Sequence, residues 1–231
     1  MAINLVKGQT IDLRKNNRGE TFDLSTVTMG LGWDVRQKVS QQKGGFLSGL
    51  FGNKPKEEVK EEEYDLDAIA FLLDVNGKVV NLGTTKTLSD GNKRAYQGAD
   101  VVFFNNLKHP SGHIWLTGDN RTGAGDGDDE QIIVKLDSLD EKYQRIIFLV
   151  TIYQGRTNGQ HFGMVDNAFI RAVDNRGKEI VKFSLSGDAT YNGKCSVVFA
   201  EAYRRDGSWK FRAIGDAKDT DSFLDILPAY R

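Results

Sequence analysis

Apolar residues in this chain come in short runs rich in β-branched and aromatic side chains. They include "FDLSTVTMGLGW", "AIAFLLDV", "DVVFFNNL", "HIWLTG", "QIIVKL", "RIIFLVTIY", "NAFIRAV", "EIVKFSL", "CSVVFAEAYRR" and "WKFRAIG". Turn-forming pairs punctuate them. Asn76-Gly77, Asn192-Gly193 and Asp206-Gly207 are strong hairpin signals, and "DNRGKE" at 174–179 reads as another. About ten strands at this spacing predict an all-β protein, an antiparallel β-sandwich. Ile132-Ile133-Val134 and Ile146-Ile147-Phe148-Leu149-Val150 lack clean alternation, which predicts central strands buried on both faces. One or two short helices are expected, around 137–143 and near 222–227.

The segment 36–63, "RQKVSQQKGGFLSGLFGNKPKEEVKEEE", breaks the pattern. Its Lys/Glu half offers little apolar area against the entropy of ordering, which predicts a long mobile insertion within a single domain spanning 1–231. Phe46, Leu47, Leu50 and Phe51 stand out inside it, as a flap tucked onto the sandwich or a contact site for a partner or membrane surface. Near-equal totals of 31 basic and 32 acidic residues argue against a nucleic-acid coat. No run reaches signal-peptide or membrane-spanning length, so the expected location is cytoplasmic. A single cysteine, Cys195, rules out an internal disulfide or a thiol-rich metal site.

Charge changes the picture at "TGDNRTGAGDGDDEQ", residues 117–131, where four Asp, one Glu and four Gly crowd fifteen positions. Like charges at that density repel, so the loop is either solvated or filled by a cation. An oxygen-only donor set selects a hard ion such as calcium, and glycine lets the backbone curl so that separated donors converge. The stretch is not an EF-hand. Counting from Asp119 puts Glu130 at position twelve, but positions three, five and six are then Arg121, Gly123 and Ala124. Missing ligands must therefore come from elsewhere. "EYDLDAIAFLL" supplies Asp65 and Asp67, two apart on a strand and so on one face, ~7 Å from each other. Asp34, after Gly32-Trp33, is a weaker contributor.

Other chemistry finds less support. His109 and His113 are four apart, but "HPSGH" cannot form the helix that a zinc pair at that spacing needs. Cys195 opens an apolar strand and reads as a buried structural thiol. Trp33, Trp115 and Trp209 read as core anchors. No phosphate-cradling loop, nucleophile elbow or dinucleotide fingerprint is present.

Taken in order, "GLGWD", "YDLDAIAFLL", "VVFFNNL", "TGDNRTGAGDGDDEQI", "IIFLVTIY", "FGMVDNAFIR" and "EAYRRDGSWKFRAIG" resemble the tellurium-resistance TerD family from residue 1 to about 215. Relatives of that family include slime-mould cyclic-AMP-binding proteins and bacterial general-stress proteins. The resemblance implies a non-enzymatic calcium-binding β-sandwich. By position, its metal candidates here are Asp65, Asp67, Asp119, Asn120, Asp126, Asp128, Asp129 and Glu130. It also implies a role in tellurite and general stress resistance, within a multiprotein assembly of other stress-resistance proteins at or near the inner membrane face. The insertion at 36–63 is longer than in shorter members of the family. Two rival functions remain: a small-ligand sensor for cyclic nucleotides, and a metal-dependent phosphoester hydrolase.

Overall fold

The structure is a computed structural model and describes residues 3–4, 7–13, 19, 21–34, 36–40, 58–62, 64–117, 127–186 and 189–231. Its strands, in chain order, are β1 (Ile3–Asn4), β2 (Thr10–Asp12), β3 (Val27–Asp34), β4 (Arg36–Ser40), β5 (Glu58–Glu62), β6 (Leu66–Leu73), β7 (Thr84–Thr87) and β8 (Lys93–Gln97). They continue as β9 (Val101–Val102), β10 (Ile114–Leu116), β11 (Glu130–Val134), β12 (Arg145–Ile152), β13 (Asp166–Val173), β14 (Glu179–Ser184), β15 (Ser196–Arg205) and β16 (Ser208–Lys218). Two six-stranded sheets form, in the orders β1-β14-β13-β3-β11-β10 and β2-β16-β15-β12-β6-β9. Every pairing in them is antiparallel except β1 with β14. The expected antiparallel β-sandwich is what the chain forms.

Alternation explains the main core. On β3, Val27, Met29, Leu31 and Trp33 point inward, leaving Thr28, Gly30, Gly32 and Asp34 on the outer face. Leu66, Ala68, Ala70 and Leu72 of β6 meet them from the second sheet. The other side of β6 is also covered. Ile69, Phe71 and Leu73 join Ile147 and Leu149 of β12 in a second apolar cluster, closed by Phe223, Ile226 and Leu227 of the C-terminal segment. This lid explains why the 68–73 and 146–150 runs are unbroken, since both faces are buried.

Several local expectations change. The helices expected near 137–143 and 222–227 are 3-10 turns, at Leu136–Ser138, Phe223–Asp225 and Leu227–Tyr230. The one α-helix among the described residues is the single turn Gly155–Asn158. Asp206-Gly207 and 174–179 do close hairpins, β15–β16 and β13–β14. Asn76-Gly77 instead lies in a turn capped by Asp74, which accepts from the N–H groups of Asn76 and Lys78 and joins no paired strands. Asn192-Gly193 follows a 3-10 turn and leads into β15. The two ends of the insertion pair with each other, β4 against β5, from Arg36↔Glu62 to Ser40↔Glu58. Phe46, Leu47, Leu50 and Phe51 lie outside the described residues. Trp33 and Trp209 are core anchors, whereas Trp115 is half-buried beneath the Lys135 ammonium. Cys195 is buried, its thiol donates to the Gln160 carbonyl, and burial pushes its pKa up. No helix among the described residues is long and apolar enough to cross a membrane.

Candidate functional site

Strand directions bring the acidic motifs to one end of the sandwich. There β3 finishes at Asp34, β11 starts at Glu130 opposite Leu31, and β13 starts at Asp166 opposite Asp34. In the other sheet β6 starts at this end, and Trp33 ties the sheets together by donating from its indole N–H to the Tyr64 carbonyl, 2.9 Å away. Glu130 shares the inward parity of Ile132 and Val134, so a carboxylate only 1% exposed sits between the sheets. It accepts from the Ala68 N–H at 2.6 Å. That group would otherwise be orphaned, because β9 pairs with β6 only at Ala70 and Phe71. Glu130 thus joins the acidic loop to the strand carrying Asp67.

Asp129 accepts from the Trp33 N–H at 3.0 Å, while its own N–H donates to the Leu31 carbonyl at 2.8 Å. Burial pushes its carboxyl above the usual aspartate range. The Trp33 N–H opposes that rise, and the negative charges of Asp34 and Asp128 add to it. Asp34 is exposed and accepts from the Asn167 side-chain amide at 2.5 Å.

Asp128 turns outward. A Cβ on Gly30 would fall on the Asp128 carboxyl, which places that group on the outer face of the first sheet. There its Oδ1 accepts from the Arg171 Nε at 2.8 Å, and Arg171 also reaches Glu179 at 3.3 Å. Asp67 takes the opposite direction. It is 6% exposed on the outer face of the second sheet, across from Thr151 of β12. Asp65 is half-buried just before β6, and its carbonyl accepts from the Tyr153 N–H. Asp119, Asn120 and Asp126 lie outside the described residues. Among the described residues, no three His, Cys, Asp or Glu side chains converge at metal-binding spacing. The donors at this end are nonetheless all oxygens, as a hard cation requires.

A second polar cluster, which the sequence reading passed over, sits at the far end of β6. Asp100 Oδ1 accepts from the Tyr143 hydroxyl at 2.8 Å and pairs with His109 Nε2 at 3.1 Å; Oδ2 accepts from the Asn81 N–H at 2.9 Å. Asp100, His109 and Tyr143 are buried beside a cavity of about 520 Å³. Two of the His109 partners lie 9 and 34 residues away, so the local sequence does not announce the cluster.

The fold and its acidic end define a class: two-layer β-sandwiches whose strand-end loops carry clustered oxygen donors. Comparison with known proteins narrows it. Residues 1–229 match the TerD domain, and the chain belongs to the TerD family. It is 52% identical over 230 residues to the tellurium resistance protein TerX of Serratia marcescens, covering all of both chains. It is 38% identical to the stress response protein SCP2 of Bacillus subtilis, again over both full lengths. It is also 38% identical to the tellurium resistance protein TerD of Alcaligenes sp, over 93% of this chain and 90% of that one. Among solved structures, a TerD homologue from Streptomyces coelicolor A3(2) superposes with a TM-score of 0.54 at 22% identity, covering 87% of this chain and 94% of the other. At that identity the likeness concerns the fold.

Proposed function

We propose that this chain is a calcium-binding component of tellurite and general stress resistance, acting within a multiprotein assembly and not as an enzyme. The observation that carries the reading is the gathering of acids from distant motifs at one sandwich end, with Asp129 partly buried close to Asp34 and Asp128. The names of its relatives, which concern resistance and stress response, support the biological role.

The residues that would hold the ion are Asp65, Asp67, Asp129 and Glu130, with Asp119, Asn120 and Asp126 of the adjoining loop. Asp128 acts differently, as a brace: its pairing with Arg171 holds the chain just before β11 against the outer face of β3. Bound calcium would supply positive charge among crowded carboxylates and tie the loop to the start of β6. Glu130 already holds the two together through the Ala68 N–H.

Calcium titration by calorimetry, with melting curves in EDTA and in millimolar calcium, tests this. At 100-fold excess over Kd the ion should add about 2.7 kcal/mol, a Tm rise of roughly 5–11 °C for a chain of this size. No heat and an unchanged Tm would overturn the reading. Pulldowns with and without calcium then test whether partner capture follows the ion.

Asp129→Asn gives a response of opposite sign in the two conditions. The folded pKa of Asp129 is raised, so its ionised form opposes folding above that value and the opposition is relieved as pH falls through it. The asparagine variant keeps an acceptor for the Trp33 N–H without the charge. At neutral pH in EDTA it should be at least as stable as the wild type, yet gain less from calcium. Parallel losses in both conditions would show that the charge is not the cause.

A further inference from the structure

The outer face of the second sheet carries a pocket of about 320 Å³ between the start of β6, the chain after β9 and the C-terminal segment. That is the low end of the range for small-molecule sites. Its walls are aromatic: Tyr96, Phe103, Phe104, Tyr153 and Phe223. The rings pack edge to face, Phe103 with Phe104 at 5.3 Å and 79°, and Phe104 with Tyr153 at 6.4 Å and 82°. Tyr96 crosses both Phe103 and Phe223 at about 6 Å. Rings in edge-to-face contact at these distances form one continuous aromatic wall along the pocket. Tyr96 is held at φ 61°, a backbone conformation that is costly for a bulky side chain and persists only where its surroundings enforce it.

The charges in the lining are Asp67, buried, Asp221, half-buried, and Lys93, exposed on β8. With two carboxylates and one ammonium, the charge beside this aromatic wall is net negative, which is complementary to one class of ligand. An alkylated ammonium buries its methyl or methylene groups against the rings, while its charge is attracted by the ring faces and by the carboxylates. A metal ion would need several converging oxygens, and an anion would meet Asp67 and Asp221. We propose that this pocket binds a small organic cation of the alkylammonium class, with Asp67 and Asp221 as its counter-charges. The site shares Asp67 with the calcium reading.

Choline and its neutral isostere 3,3-dimethyl-1-butanol are suitable probes. Each is titrated into the full chain in EDTA, so that no divalent ion competes for Asp67, with calorimetry and amide NMR as readouts. Choline should bind saturably at one site, at least about tenfold tighter than the isostere, and shift the amides of Phe103–Asn105 and Ser222–Leu224. Asp221→Asn and Phe104→Leu alter partly exposed positions, so the fold should survive. Each should weaken choline by about fivefold or more, while the isostere changes little with Asp221→Asn. Equal affinity for the two probes, shifts confined to other regions, or no saturation would overturn the proposal. Because calcium is absent throughout, the result does not depend on the calcium reading.

Discussion

Gly32→Ala should lower the melting temperature by roughly 6–12 °C, the equivalent of about 3 kcal/mol in a chain of this length. The position lies in the middle sheet strand β3 with its missing side chain directed outward. A Cβ there would stand 2.5 Å from the Gly127 carbonyl oxygen and 2.6 Å from the Phe169 ring. Neither neighbour can retreat easily. Gly127 is backbone at φ +106°, and two residues later the Asp129 N–H is fixed to the Leu31 carbonyl. Phe169 is clamped by the Lys182 ammonium, 3.6 Å from its ring centroid. Relief therefore requires the end of the acidic loop, at Gly127–Asp129, to lift from the sheet, so under the proposed function calcium affinity should fall together with stability. Gly30→Ala should act through a different group, displacing the Asp128 carboxylate and breaking its pair with Arg171. Denaturant curves are the check, a lower midpoint at unchanged slope being the expected form. A Gly32→Ala protein melting within a degree of the wild type would remove the claim that these glycines form a shelf for the loop.

That shelf marks the limit of what the sequence makes legible. The sandwich itself is readable, because short apolar runs ended by Asp-Gly or "DNRGKE" leave few other folds. Burial of both faces of β12 is readable too, from the unbroken Ile146–Val150 run. The β4–β5 ribbon is not. Its Lys/Glu composition carries no alternation signal, and the pairing Gln37↔Glu61 follows from antiparallel register, which local composition does not encode. In the candidate site, the acids and glycines of 117–131 and the pair at 65 and 67 mark out candidate cation ligands without fixing which side chain points where. Asp128 finds Arg171 through the β11–β3–β13 order of the sheet, 43 residues along the chain, so counting acids could not separate this brace from its neighbours. Glu130 is legible as a candidate ligand. Its second task, capping the Ala68 N–H, depends on where β9 happens to stop.

Asp100→Ala should be the most damaging single substitution considered, costing about 3–5 kcal/mol. The carboxylate is 3% exposed and serves three donors from separate stretches: the Asn81 N–H, His109 and the Tyr143 hydroxyl. The Ser111 N–H donates to His109 Nδ1, so that nitrogen is an acceptor and the ring proton sits on Nε2, directed at Asp100. Truncation strands an imidazole N–H and a phenol in a buried place and frees the Asn81 amide, and three loops lose their common anchor. Asp100→Asn should cost less, since the amide oxygen still accepts. The pH dependence identifies the cause. Burial raises the Asp100 carboxyl, but the hydrogen bonds from His109, Asn81 and Tyr143 outweigh it and hold the group below the usual aspartate range. A depressed folded pKa gives stability that is fully present above the unfolded value and lost as pH falls through the folded one. The gap between wild type and Asp100→Ala should therefore stay level from pH 5 to 8 and close only below about pH 4. Urea midpoints across that range measure it. A gap that closed between pH 5 and 7 would show that the Asp100 carboxylate is not the source of the stabilisation.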